Sequence, residues 1–171
     1  MGSHTKRLAI AILFSVIILV TKTIVPSPIN KMLIGIQALL LALAALLLKK
    51  WGATFVSIVS GSLTAIWNIA LAPFTFIFAI FYGLLVDASF SILKIKPTNK
   101  KVRTRRLITA MTLSTLTVGV ASYYSTVKLT GVLPESLGLE ILIFAMGTIN
   151  GAVAGYLASI MWNKYLKNLK F

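Results

Sequence analysis

Apolar residues in this chain gather into six long runs, separated by short stretches that carry charge, proline or asparagine. The runs cover residues 8–25, 32–48, 53–70, 74–93, 107–127 and 137–162. Each is close to the roughly 17–25 residues that a helix needs to cross a hydrocarbon layer. In hydrocarbon every span has to be helical, because an open sheet edge leaves backbone groups without partners. The pattern therefore predicts an all-α polytopic membrane protein, a bundle of six transmembrane helices forming one domain over residues 1–171. Pro26-Ser27-Pro28 closes the first run and Lys49-Lys50 the second. The third and fourth meet at Pro73 with so few residues between them that they should form a tight helical hairpin. The one sizeable polar segment, 94–106, splits the spans four plus two. The first run is long for the apolar stretch of a signal peptide, and no A-x-A-like site follows it, so it reads as a retained helix.

Composition sharpens this picture. Hydrophobic residues make up 58% of the chain and charged residues 12%, against about 25% charged in a soluble domain. The formal charge is +14, from 17 Lys and Arg against 3 acids. Such an excess suggests nucleic acid in a soluble protein, so the placement of the charges has to decide. If the N-terminus lies inside, the inner segments hold Lys6, Arg7, Lys49, Lys50, Lys94, Lys96, Lys100, Lys101, Arg103, Arg105, Arg106, Lys164, Lys167 and Lys170. The outer side keeps Lys22, Lys31 and Lys128. That asymmetry is the positive-inside signature and predicts both termini in the cytoplasm, in a multi-pass plasma-membrane protein. Basic residues alternating with spans do not make one nucleic-acid-binding face; their expected partners are anionic lipid headgroups.

Little here suggests catalysis. With no cysteine there are no disulfides or thiolate sites, and the single histidine, His4, reads as a terminal residue. The three acids, Asp87, Glu135 and Glu140, have no spacing that suggests a catalytic pair. No phosphate-cradling glycine loop or serine elbow occurs. The expectation is a non-enzyme with no cofactor and no metal.

Four features stand out instead. Gly147, Gly151 and Gly155 repeat every four residues on the last span, a doubled G-x-x-x-G that admits close approach of another helix, within the bundle or from a partner. A second small-residue stripe is Ser57, Gly61 and Ala65 on the third span. Asp87 lies toward the inner end of the fourth span, either as a functional acid at membrane depth or as an interfacial partner of the basic residues nearby. The charge-derived topology puts Gln37, Trp67, Asn68, Tyr123, Tyr124 and Glu140 in the outer third of the membrane. Aromatic faces with a few hydrogen-bonding groups suit a small-molecule pocket, although an aromatic belt at the headgroups also accounts for Trp67 and the tyrosines. Tyr123 and Tyr124 point about 100° apart on a helix, so at most one is central. The fifth span adds Thr109, Thr112, Ser114, Thr115, Thr117 and Ser122, hydroxyls that suit a bundle interior or bond back to their own helix.

Three local patterns resemble the substrate-binding S-component of energy-coupling factor (ECF) transporters. They are Lys50-Trp51-Gly52-Ala53 before a small-residue span, Phe81-Tyr82-Gly83-Leu84-Leu85-Val86-Asp87, and Gly147-Thr148-Ile149-Asn150-Gly151 running to Lys164-Tyr165-Leu166. The resemblance implies a prokaryotic membrane subunit that captures a vitamin-like nutrient from outside, under loops 26–31 and 128–136. Release inward would need a separate transmembrane coupling subunit and ATPases. Many members carry A-x-x-x-A on the first helix, where it meets the coupling subunit; here the nearest match is Ala11-x-x-x-Ser15. Two alternatives from other classes stand beside this one: a non-catalytic scaffold or assembly protein that docks other helices, and a membrane enzyme acting on lipid or isoprenoid substrates.

Overall fold

The computed structural model describes residues 3–23, 34–48, 51–67, 69, 72–95, 101–130 and 136–166. Among them the chain is all-helical, with six α-helices and no strand. They are α1 (Ser3–Thr23), α2 (Ile34–Leu47), α3 (Gly52–Trp67), α4 (Ala72–Ile92), α5 (Thr104–Ser125) and α6 (Leu137–Met161). Wider π-helical turns, Thr126–Thr130 and Trp162–Leu166, prolong α5 and α6. With these turns α5 and α6, like α4, are long and apolar enough to cross a membrane, which marks a membrane protein. The helices α2 and α3 are apolar but shorter over the described residues. The helix α1 matches α4 at 21 residues, yet carries Lys6, Arg7 and Lys22 toward its ends.

The sequence of α2, IGIQALLLALAALL, is apolar on every side. Such a helix belongs at the centre of a bundle, and α2 packs against each of the other five. Around it run α1, α3, α4, α5 and α6 in that order, each against the next. Large apolar side chains turn outward in quantity: Leu8, Ile12, Leu13, Val16, Ile17 and Val20 on α1, and Ile141, Leu142, Phe144, Ile149 and Val153 on α6, are all exposed. In water so much contiguous apolar surface would aggregate; lipid accepts it.

Small residues set the closest contacts. A Cβ on Gly151 would lie 2.6 Å from the Thr112 Cα, and one on Gly155 2.7 Å from the Ile108 Cα. Farther along, one on Gly147 would stand 3.4 Å from the Leu116 Cα. The glycine stripe thus packs on the α5 backbone inside the chain. The hairpin of α3 and α4 is built in the same way. A Cβ on Gly61 would come within 2.8 Å of the Ala79 Cβ, and one on Gly83 within 2.8 Å of the Thr54 Cα.

Hydroxyls tie α4 to α5. The Tyr82 hydroxyl bonds Thr115 at 2.8 Å and Ser89 bonds Ser114 at 2.9 Å, all four residues buried. Ser114 and Thr115 also bond back to Ala110 and Met111, while the exposed Thr109 and Thr117 bond only to their own helix. Both roles weighed for these hydroxyls therefore occur, sorted by which face of α5 a residue occupies.

Candidate functional site

At the end of the bundle where α1, α3 and α5 begin, the polar groups serve the framework. Asp87 on α4 reaches the first turn of α3. Its carboxylate accepts bonds from the Thr54 amide at 2.8 Å, the Ala53 amide at 3.3 Å and the Thr54 hydroxyl at 2.6 Å. The first amides of a helix lack partners within it and carry the positive end of its dipole, so a carboxylate placed there is stabilising. Asp87 is the cap of α3, supplied by the neighbouring helix. The basic partners considered for it include Lys49, Lys50, Lys96 and Lys100, which lie outside the described residues.

Asn163 clasps the segment before α5, accepting from the Val102 amide at 2.9 Å and donating to the Val102 carbonyl at 3.0 Å. Thr104 bonds Ser159 at 2.7 Å. Two cavities open at this basic end. One, about 520 Å³, lies between α1 and the α2–α3 junction and is lined by Arg7, Leu8, Leu48, Trp51 and Phe55 among others. The other, about 280 Å³, is lined by Lys94, Ile95, Lys101, Val102, Arg103 and Arg106.

The opposite, charge-poor end holds the residues proposed for capture. Tyr123 and Tyr124 sit at the end of α5 with ring centroids 5.6 Å apart, edge to face. Tyr123 is buried, and its hydroxyl lies 3.3 Å from the Ser136 amide and 3.4 Å from its carbonyl. Tyr124 is exposed and donates its hydroxyl to the Glu140 carboxylate. The Lys128 ammonium stands 5.9 Å from the centre of the Tyr124 ring. Glu140 occupies the first turn of α6, where a negative charge suits the helix dipole. The Tyr124 phenol at the end of α5, with the Lys128 ammonium one turn beyond it, thus meets the Glu140 carboxylate on the first turn of α6, beside a second phenol that holds the start of α6.

Trp67 is not part of this group. It is 73% exposed at the end of α3, and α3 packs on α1, α2 and α4 while α6 packs on α5 and α2. The convergence expected of Trp67 with Glu140 is not what the helix packing gives, because the two helices face different neighbours. Asn68 lies outside the described residues, as do Glu135 and loop 26–31. Gln37 is buried on α2. Two residues earlier, a Cβ on Gly35 would come 2.9 Å from the Asn150 Oδ1, so α2 and α6 meet here across an amide. Asn150 enters the sequence reading only within the last-span pattern and Asn163 not at all, although an amide within an apolar helix is itself a signal.

On α1, Ala11 and Ser15, weighed for a partner contact or for helix packing, are buried against α3, and Ser15 donates to the Val56 carbonyl at 3.2 Å as well as to Ala11 at 2.8 Å. That face is used within the chain. The face of α1 left open carries Leu8, Ile12, Leu13, Val16, Ile17 and Val20. Among the described residues no cluster of three or more acids and histidines exists that would hold a metal. No family model, curated protein or solved structure matches the chain.

Proposed function

We propose that this protein is a membrane-embedded capture subunit for a small organic nutrient, in the manner of the S-components of energy-coupling factor transporters. Six spans carry it, with both termini and the basic segment 94–106 in the cytoplasm. One observation supports the reading above the others: the Tyr124–Glu140 hydrogen bond at the charge-poor end, flanked by Tyr123 and Lys128. A carboxylate fixed by a phenol presents an oriented acceptor beside aromatic surface, which is what recognition of a small polar aromatic molecule requires. Gln37 and the residues of loops 26–31 and 128–136 complete the site in this reading. Transport inward then depends on a coupling subunit that docks on the outward apolar face of α1, not on Ala11 and Ser15. In this role the chain performs no catalysis and needs no cofactor.

The second reading, a non-catalytic scaffold, is favoured by the position of the cavities: both open at the basic end, away from Tyr124 and Glu140. Mass spectrometry of small molecules co-purified with the detergent-solubilised protein separates the two. Capture predicts one stoichiometric compound that is lost from a Glu140→Gln variant. An empty protein that nevertheless copurifies with partner membrane proteins sinks the capture reading. Topology has its own test. The chain has no cysteine, so a single cysteine at Asn99 should stay unlabelled by an impermeant thiol reagent until cells are lysed; labelling of intact cells reverses the orientation.

A further inference from the structure

The cavity between the end of α4 and the start of α5 holds more cations than its one framework bond, from Arg106 to the Leu93 carbonyl at 3.3 Å, accounts for. Four of its lining residues, Lys94, Lys101, Arg103 and Arg106, are cations and none is an acid. Its remaining walls are Ile95 and Val102, both buried in the core. Each of these apolar pegs sits next to cations in sequence, so burying the peg fixes where the charges emerge. Backbone bonds hold both pegs: Ile95 donates to Phe90 at 2.9 Å, and Val102 is clasped by Asn163 at 2.9 and 3.0 Å. The cations are therefore mounted on a fixed frame and their mutual repulsion is built in.

The start of α5 adds to this charge. Arg103 occupies the capping position and makes no side-chain cap, and the first turn carries no acid. Basic residues at the positive end of a helix dipole are unfavourable, and an anion there relieves both terms. The level of the cavity restricts which anion. Both α4 and α5 are long and apolar enough to cross a membrane, which puts Lys94 at the end of α4 and Arg103 at the start of α5 at the level of a membrane surface. Ile92, two residues before Lys94, is 77% exposed and offers an apolar flank toward lipid.

We infer that this cavity binds the phosphate of an anionic phospholipid headgroup, held by Lys101, Arg103, Arg106 and Lys94. The site anchors the α4–α5 connection to the leaflet. It stands independently of the nutrient-capture reading, since it uses the other end of the molecule.

The test is native mass spectrometry of the full chain in detergent, titrated with phosphatidylglycerol or with phosphatidylcholine of the same acyl chains. Lys101→Gln/Arg103→Gln removes two cations from the cavity. Arg105→Gln/Lys164→Gln removes the same charge from exposed positions that do not line it. At about fivefold per cation near a membrane surface, the cavity variant should bind phosphatidylglycerol roughly 30-fold more weakly. The control should stay within about threefold of wild type, and binding of phosphatidylcholine should be weak in all three. Should the double variant fail to fold, as judged by its melting in phosphatidylcholine micelles, Lys101→Gln alone takes its place with about a fivefold loss expected. Equal binding of the two lipids by wild type overturns the proposal. Equal losses in both double variants do so as well, because they show diffuse attraction rather than a site. Inorganic phosphate or adenosine monophosphate binding as tightly as phosphatidylglycerol assigns the cavity to a soluble anion and overturns the lipid occupant.

Discussion

The two ends of this bundle treat polar groups in opposite ways. At the basic end, polar side chains close the framework: Asp87 caps α3, Asn163 clasps Val102, and Thr104 joins Ser159. Each bond links two helices, or a helix and its connection, over a long separation in sequence. At the charge-poor end, Tyr123 with Ser136 and Tyr124 with Glu140 join the end of α5 to the start of α6, a short step in sequence. Trp67 stands exposed there without joining them. Polar groups that knit distant helices together fix the framework, whereas an exposed phenol–carboxylate pair between consecutive helices remains open to a ligand. The comparison predicts that substitutions in the framework cost stability and that substitutions at the charge-poor end cost binding.

The largest effect should come from the middle of the bundle, to which both ends are attached. At Gly151 the Cβ site lies 2.6 Å from the Thr112 Cα and 2.9 Å from the Met111 carbonyl. Both are backbone atoms, so no rotamer change makes room. Gly151→Leu should lower stability by about 3 kcal/mol or more, at or beyond the upper end of overpacking, read as unfolding in a denaturing detergent titration. At Gly147 the nearest atom is 3.4 Å away, and Gly147→Ala should cost less than about 1 kcal/mol. Equal tolerance at the two positions would mean that α5 and α6 are not held as closely as described.

Next comes Asp87. Asp87→Ala removes an acceptor from two amides and a hydroxyl of Ala53 and Thr54 and should cost about 2 kcal/mol, the upper range for a helix cap. Asp87→Asn keeps one capping oxygen but loses the charge and replaces the other acceptor with an amide donor, so it should cost about 1 kcal/mol, less than alanine. The pair also sharpens the comparison between the ends. A framework role predicts that binding of the nutrient follows stability in both variants. If Asp87→Asn abolishes uptake while the protein remains as stable as wild type, Asp87 has a role beyond the cap and the basic end is not purely structural.

At the charge-poor end the order reverses. Tyr124→Phe and Glu140→Gln should each change stability by less than about 1 kcal/mol, because the hydrogen bond between them is exposed. Ligand binding should weaken by roughly 1–3 kcal/mol if the partner group is left unpaired against the ligand, measured by titration calorimetry with the co-purified compound. Losses in stability that match those at Asp87 would place this pair in the framework and remove the distinction between the two ends.

How much of this could be read along the chain depends on direction. Depth was legible. The charges placed Asp87 near the basic end, and Tyr124 and Glu140 at a common level at the other. Helix existence was legible too, since apolar runs between breakers gave each element to within a few residues. What the chain did not reveal was the angle of each residue around its helix. In water, polarity marks the outward face; in lipid, both faces are apolar, and the stripe of large residues on α1 looks no different from the all-round apolar α2. For that reason the sequence leaves open which way Ala11 and Ser15 face, although they lie against α3, and groups Trp67 with Glu140, whose helix packs on other neighbours. Small residues were the exception. The stripe Gly147, Gly151 and Gly155 carries its direction with it, because a close approach needs a partner backbone. The central place of α2 had no signal of its own beyond its unbroken apolarity.

The smallest effect expected is at Lys94, and it joins the framework to the proposed lipid site. Lys94 has φ 51°, in the left-handed region, just past the end of α4. Its amide bonds the Ser91 carbonyl at 3.1 Å, and the following Ile95 amide bonds Phe90 at 2.9 Å. This is the paired bonding of a Schellman turn, sealed by contact between apolar residues such as the buried Phe90 and Ile95. Glycine is the residue that takes this conformation without a Cβ clash, and a lysine there is strained by about 1 kcal/mol. Lys94→Gly relieves that strain but gives the unfolded chain more freedom, so a net gain of about 0.5 kcal/mol is expected. The same change removes one of the four cations of the cavity. In neutral detergent the variant should therefore melt slightly higher than wild type, while the added stability that phosphatidylglycerol brings should fall. A rise in both would show that Lys94 takes no part in holding an anion. A fall in neutral detergent would show that the lysine side chain stabilises the turn more than its backbone strain costs. The opposite signs come from one residue doing two things: closing a helix in a conformation it does not favour, and holding a charge where an anion would reward it.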